Sequence, residues 1–336
     1  MSSAPIGSLF VGVKNRGSYI LDLALAQPQR FQPVALVDAT REIAQEEAAR
    51  RGWQAMPCFS SLEEALGCVS AEACFITSPA RFHGAQIRTA LESGLHVFVA
   101  KPMTYNLDEA VQLVEVAEQR GLCLVVDQQQ QFSPTERTLA EWVREQRFGE
   151  VGFASFIIHR YRPNMASFIG ADPFLWEQGV HSFNSLIALL DRPAVSVIAH
   201  QIKPKWSVYN GDTVSMGVIE FAGGVPCHYL GTFDSRAFTM EIRLDMEEAA
   251  ARIVAENSWH KRLEVALPGK AFEPTGIEDT SDSLPWEKHN LENFYHGCRH
   301  GGRVTNDGRD NLRTLAIVDA FIRASRSGRR EAVRQF

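Results

Sequence analysis

Residues 6–38 read IGSLFVGVKNRGSYILDLALAQPQRFQPVALVD, and this stretch decides the fold. Ile6 to Val13 is a short apolar run broken by glycine. GVKNRG occupies Gly12 to Gly17, Ser18 to Ala26 reads as a helix, and Val34 to Val37 reads as a second strand ended by Asp38. This is the order of a dinucleotide-binding β-α-β unit, with an acidic residue about 20 positions past the glycines.

One position of the glycine fingerprint is changed. Gly12 suits the tight turn and Gly17 suits close packing of helix on strand. Lys14 stands where a glycine normally lets the backbone approach a pyrophosphate. Its side chain either blocks that approach or reaches round to a phosphate. The helix start beyond it, with Asn15 and Arg16, still attracts anions. Asp38 favours NAD by accepting hydrogen bonds from a ribose, while Arg41 keeps NADP open. The plainer alternative is a β-α-β unit that holds no nucleotide.

Working outward, short apolar strands alternate with helices as far as Val126, which argues for a mostly parallel sheet covered on both faces. Ligands of such sheets bind beyond the carboxyl ends of the strands. Gly12–Gly17, Asp38, Thr77-Ser78-Pro79, Lys101 with Pro102, and Asp127 all fall at such ends. The pattern changes near Gln128, giving expected domains of residues 1–128 and 129–336, with the terminal helix packing back on the first. From Ala194 to Val265 repeated strand-like runs suggest an antiparallel sheet, and Pro268–Leu284 reads as a polar loop. Phe174–Leu190 reads as a helix, with Asp172 as its cap and Pro173 at its first position. The outer apolar face of a wide sheet requires cover, so a homo-dimer or homo-tetramer through the C-terminal sheet is expected.

The 336 residues carry a formal net charge of -6, with 45% hydrophobic and 22% charged residues. This composition is globular and suits two domains. Nothing in it suggests a nucleic-acid surface, and no apolar run reaches membrane-spanning length. The six cysteines include no Cys-x-x-Cys pair. That usage fits a reducing, cytoplasmic setting without structural zinc. No signal peptide is visible. The basic run from Arg323 to Arg330 reads as a solvated tail.

Several residue types suit chemistry. Lys101, between a strand and Pro102, is placed to hold a hydroxyl or carbonyl near a cofactor, or is simply a solvated lysine. Glu177 and His181 are four apart on a helix and share a face, with Asn184 near it. Histidine moves protons at neutral pH and a neighbouring carboxylate orients its ring; the plainer reading is a surface pair. His159, Arg160, Tyr161 and Arg162 follow a strand and suit a polar or anionic substrate group, although alternation divides them between two faces. His83 is expected near the nicotinamide end of a nucleotide, or on a helix surface. No metal is expected, because no second histidine stands at zinc spacing. No Gly-x-Ser-x-Gly elbow and no Walker sequence is present.

With GVKNRG, VDAT around Asp38, TSPARFH from Thr77, AKPMT around Lys101, EQGVHSFNSL around His181 and DGRDNLRTL from Asp307, the chain resembles the glucose–fructose oxidoreductase, inositol dehydrogenase and rhizopine-catabolism (Gfo/Idh/MocA) family over almost its whole length. The resemblance implies an α/β chain: an N-terminal Rossmann domain and a C-terminal α+β domain with a large, mainly antiparallel open sheet. It implies hydride transfer between NAD, or NADP, and a hydroxyl carbon of a sugar, cyclitol or related polyol. The family lysine falls on Lys101, the catalytic histidine on His181, and the frequent aspartate on Glu177. Two departures stand out: Ala100 replaces the glutamate before the lysine, and Lys14 replaces the middle glycine. They motivate two alternatives, an NAD-dependent elimination or glycosidic cleavage with only transient redox, and a non-catalytic sugar-sensing or scaffold protein.

Overall fold

The computed structural model describes residues 4–163, 170–255, 257, 260–280 and 286–336. The chain divides into two compact units. One comprises residues up to Gln128 together with Glu287–Leu312, and the other Gln129–Trp286 with Arg313–Phe336.

The first unit is built on a parallel sheet of β1 (Ile6–Val11), β2 (Phe31–Val37), β3 (Cys58–Phe59), β4 (Ala73–Ile76), β5 (His96–Ala100) and β6 (Leu124–Asp127), in the order β3-β2-β1-β4-β5-β6. Its central strands are buried on both faces, which is why Ala73–Ile76 is an unbroken apolar run. The connecting helices are α1 (Arg16–Leu25), α2 (Arg41–Arg50), α3 (Leu62–Cys68), α4 (His83–Glu92) and α5 (Leu107–Gln119). Side chains of Thr40, Ser61 and Asn106 cap α2, α3 and α5 by accepting backbone N–H bonds.

Residues 287–312 return to this unit, where only the terminal helix was expected to do so. The cause is aromatic packing. Leu291 and Phe294 are fully buried in the core beside β1, β2, β4 and β5. The Phe294 ring lies 5.4 Å from that of Phe75, 5.6 Å from Phe98 and 6.2 Å from Phe31. Burying such a ring contributes about 1.5–3 kcal/mol, which a polar-looking helical segment does not advertise.

The second unit carries α6 (Pro134–Arg144), α7 (Val180–Leu190) and a sheet of β7 (Val151–Tyr161), β8 (Ala194–Ile202), β9 (Val214–Phe221), β10 (Val225–Thr232), β11 (Asp234–Met246), β12 (Ala250–Ala255), β13 (Lys261–Ala266), β14 (Glu273–Asp279) and β15 (Glu331–Ala332). Their order is β14-β13-β12-β11-β7-β10-β9-β8-β15. Only the β7–β10 pair is parallel. The remaining helices are α8 (Trp286–His300) and α9 (Gly308–Ser327), which begins in the first unit and continues into the second. On the inner face Phe183 of α7 packs 4.9 Å from Tyr229 and 5.7 Å from Phe321 of α9.

Three expectations are corrected here. The loop expected over 268–284 contains the edge strand β14; residues 281–284 of it lie outside the described residues. An edge strand with one solvated face has no need of an apolar pattern. The basic C-terminal run is not a solvated tail: Arg323 pairs with Asp319 and Glu331, Arg326 with Asp172, Arg330 with Glu220, and β15 pairs with β8. Asp172 consequently spends its carboxylate on Gln201 and Arg326. The helix itself starts at Pro173, as expected, and passes through a π-helical turn, Leu175–Gly179, before α7.

Candidate active site

The fingerprint turn follows β1. Gly12 has φ 82°, and a β-carbon there would lie 2.4 Å from the Ser78 amide nitrogen. At Gly17 a β-carbon would lie 1.7 Å from the Gly12 carbonyl oxygen. Both positions therefore demand glycine. The non-glycine residue of positive φ in the turn is Asn15, φ 49°, not residue 14. Lys14 consequently tolerates a side chain, and its ammonium pairs with Glu46 at 2.8 Å on the exposed side of α2. That bond raises the Lys14 pKa. No side chain caps α1, and its first turn carries no acidic residue. A helix start of this kind favours a negative ligand, so the turn fits a pyrophosphate.

Asp38, just past β2, accepts from the Val13 amide at 2.7 Å and from the Ala39 amide at 2.7 Å. Two acceptor bonds leave a carboxylate lone pairs for a ribose hydroxyl. Arg41, the residue that kept NADP open, is paired with Glu64 and stacked over Phe59 at 5.8 Å. Thr77 donates to the Val11 and Gly12 carbonyls at 3.1 and 2.8 Å, which joins the tips of β1 and β4. Ser78 donates to Gln86 at 2.5 Å, and Pro79 leads into the short 3-10 turn before α4.

Arg16 differs from expectation. Its guanidinium donates to Asp127 at 3.0 and 2.5 Å and to Glu287 at 2.9 Å. Tyr19 also donates to Glu287, and Asn290 donates to Asp127 at 3.4 Å. Burial opposes the charge of Arg16, but Asp127 and then Glu287 outweigh it and raise the pKa. The side chain thus anchors α1 to β6 and α8 rather than serving a phosphate. Asp127, noted as a strand-tip residue, is one of its two anchors.

For His83 the helix-surface reading is corrected. The ring is buried, with Nδ1 2.8 Å from the Pro102 carbonyl oxygen and Nε2 2.8 Å from that of Ser78. Both ring nitrogens face the chain's own carbonyls, so the ring supports the β4 and β5 tips instead of presenting a polar atom to a cofactor. Lys101 follows β5, half-buried, and its peptide bond to Pro102 is cis.

In the second unit His181 lies in the first turn of α7 and Glu177 in the π-helical turn before it, both half-buried. A π-helical insertion is a frequent feature of functional sites. Asn184 is buried and accepts from Gln131 at 3.3 Å. The four-residue cluster splits. His159 bonds Thr239 at 2.8 Å, and Tyr161 is exposed with Arg236 over its ring at 5.9 Å. These two lie on the face opposite Arg160, because side chains alternate along β7. Arg160 turns inward and donates to Gln178 at 2.6 Å. Gln178 was not anticipated; its position between Glu177 and His181 was the only signal. Among the described residues no group of three or more His, Cys, Asp or Glu is placed to hold a metal, and no helix is long and apolar enough to cross a membrane.

Residues 6–128 match the GFO_IDH_MocA family model, described as "Oxidoreductase family, NAD-binding Rossmann fold". Over these residues the chain is similar to the NAD-binding Rossmann domain of that oxidoreductase family. Its relatives include the uncharacterized protein y4oX of Sinorhizobium fredii, 25% identical over 91% of this chain and 89% of that protein. The D-apiose dehydrogenase of Paraburkholderia graminis is 26% identical over 88% of this chain and 81% of that enzyme. The WlbA dehydrogenase of Bordetella pertussis, solved with NADH and UDP-GlcNAcA, shares the fold with a TM-score of 0.83 at 19% identity, covering 99% of this chain and all (100%) of that one.

Proposed function

We propose that the protein is a nicotinamide-dependent oxidoreductase acting on a hydroxyl carbon of a sugar, cyclitol or related polyol. The observation that carries this reading is the turn at Gly12–Gly17, which retains both sterically required glycines, an uncapped helix start and Asp38 beside it. D-apiose dehydrogenase, similar over 88% of this chain, supports it, and the WlbA enzyme solved with NADH shares the fold.

Gly12, Asn15 and Gly17 would hold the pyrophosphate, and Asp38 the adenosine ribose, which selects NAD. Thr77, Ser78, Pro79 and Pro102 shape the strand tips on which the rest of the cofactor rests. Bound nicotinamide supplies the acceptor or donor of hydride. In the oxidative direction His181 takes the proton of the substrate hydroxyl, Glu177 orients His181, and Lys101 stabilises the developing alkoxide. In reduction the same histidine returns the proton. The self-association expected of the second sheet belongs to this reading, in a cytoplasmic enzyme.

Nucleotide binding tests the proposal. Nucleotide released by denaturing the purified protein is identified by mass spectrometry, and fresh protein is titrated with NADH and NADPH. Binding of a nicotinamide dinucleotide is the expected result. A folded protein that binds neither would overturn it and favour the sensor or scaffold reading.

A further inference from the structure

Strand β7 and the residue that follows its end bring two arginines to the helix-covered side of the second sheet. Ala154, Phe156 and Ile158 are buried there, and Arg160 continues their alternation. Its Nη1 bond to Gln178 fixes it to the π-helical turn, three residues before His181. Gln178 is itself buried. Arg162 follows at the same parity. Its guanidinium carbon lies 5.7 Å from the centroid of the buried Phe233 ring. Its backbone is held at both polar groups: the amide donates to the Phe233 carbonyl at 3.1 Å, and the carbonyl accepts from Tyr209 at 2.5 Å.

Resting on the oxidoreductase reading above, we propose that Arg160 and Arg162 bind an oxyanion carried by the substrate, a carboxylate or a phosphate, while His181 engages its reacting hydroxyl. The substrate is then an acidic derivative of a sugar or polyol rather than a neutral one. Two half-buried guanidinium groups side by side repel each other, and the planar donor fork of each matches an oxyanion in two-point contact. An anion between them cancels the repulsion. Burial, and next the charge of Arg162, hold the Arg160 pKa below that of an ordinary arginine; a bound anion reverses the second effect. The Gln178 bond sets the direction of the Arg160 fork, and the Phe233 ring sets one side of Arg162. His159 and Tyr161, on the other face, take no part.

The test uses the full chain saturated with NADH and matched panels of probes: aldoses, the corresponding aldonates and uronates, and the corresponding sugar phosphates. Binding is followed by calorimetry and turnover by nicotinamide absorbance. Charge-assisted bonds to two arginines should favour an anionic probe over its neutral parent by about ten- to a hundredfold. The carboxylate and phosphate arms identify the source of the anion. Arg160→Met should abolish this preference without changing NADH affinity, and Arg160→Lys should restore part of it. Should Arg160→Met fail to fold, Arg162→Met and the salt dependence of wild-type binding report the same contact. Equal affinity for neutral and anionic probes, or no binding by any panel, would overturn the anion site. Anion binding that depends on Arg160 without any hydride transfer would instead uphold the site and remove the oxidoreductase reading.

Discussion

The His83 ring stands between strand tips, with Nδ1 2.8 Å from the carbonyl oxygen of Pro102. Its Nε2 is equally close, 2.8 Å, to the Ser78 carbonyl oxygen. Carbonyl oxygens only accept, so the ring nitrogen that carries the proton donates to the carbonyl it faces. Pro102 adjoins Lys101, and Ser78 lies against Gly12, so the clamp supports the two segments that the proposed chemistry uses most. His83→Leu removes the ring's hydrogen bonding from a buried place. It should lower unfolding stability by about 2 kcal/mol or more and reduce turnover more than NADH affinity. Urea unfolding with NADH titration checks this; a variant of wild-type stability would refute the clamp.

His181→Ala should reduce turnover by about 10²–10⁴-fold, the usual contribution of a positioned general base. NADH affinity should be unchanged, because the fingerprint turn belongs to the other unit. Stopped-flow hydride transfer and a nucleotide titration separate the two effects. Equal losses in both would sink the proton-transfer role of His181.

The sequence made the parallel sheet legible because buried parallel strands are unbroken apolar runs with glycines and polar residues at their tips. It marked Gly12, Gly17 and Asp38 for the same reason: local turn geometry leaves a local trace. Arg16 was misread because its partners Asp127 and Glu287 lie 111 and 271 positions away, and pairing over such distances has no periodic signature. The alternation rule did divide His159 and Tyr161 from Arg160 and Arg162, but it does not say which side helices cover. Burial on β7 settled that. Gln178 stayed hidden because a single glutamine in a helix carries no pattern.

Asp38 and Arg41 together predict the nucleotide. Asp38 would meet a 2'-phosphate with like charge, and Arg41 is held by Glu64. NADH should bind at least about tenfold more tightly than NADPH. Asp38→Asn, which keeps an acceptor for the Val13 amide, should narrow the gap. Arg41→Ala should leave NADPH affinity unchanged. Fluorescence titrations of both nucleotides decide it, and a wild-type preference for NADPH would reverse the role given to Asp38.

Glu47 of α2 predicts an acid limb of stability. It is 4% exposed and bonded by Ser18, Arg50 and Arg51. Burial pushes its pKa up, but the bonds from Arg50 and Ser18 and the charges of Arg51 and Arg50 prevail, holding it at about 2 against an ordinary 4.5. The folded pKa is depressed, so this stability is present above about pH 4.5 and is lost as the pH falls toward 2. Glu47→Gln should cost about 2 kcal/mol at pH 7 and flatten the stability profile between those limits. Urea unfolding across that range tests it; parallel profiles for the variant and the parent would exclude Glu47 as the source.

The outer face of the second sheet predicts self-association. Over β11, β12 and β13 it carries an ion-pair ladder, Arg243–Asp245, Arg252–Glu241, Arg252–Glu264 and Arg262–Glu264, which water tolerates well. Over β8, β9 and β7 it exposes large apolar side chains: Ile198 and Val218 are cross-strand partners at 45% and 41% exposure, and Phe153 is 52% exposed. Covering each such side chain contributes about 1–2 kcal/mol, which favours the association of two copies. Ile198→Lys combined with Val218→Lys places two like charges on that patch and should shift the protein to monomers, with the monomer's unfolding transition preserved because neither side chain enters the core. Sedimentation velocity reads the outcome directly. A wild-type chain that sediments as a monomer at high concentration would show that this face is solvated, and the lysine pair would then have no effect on mass.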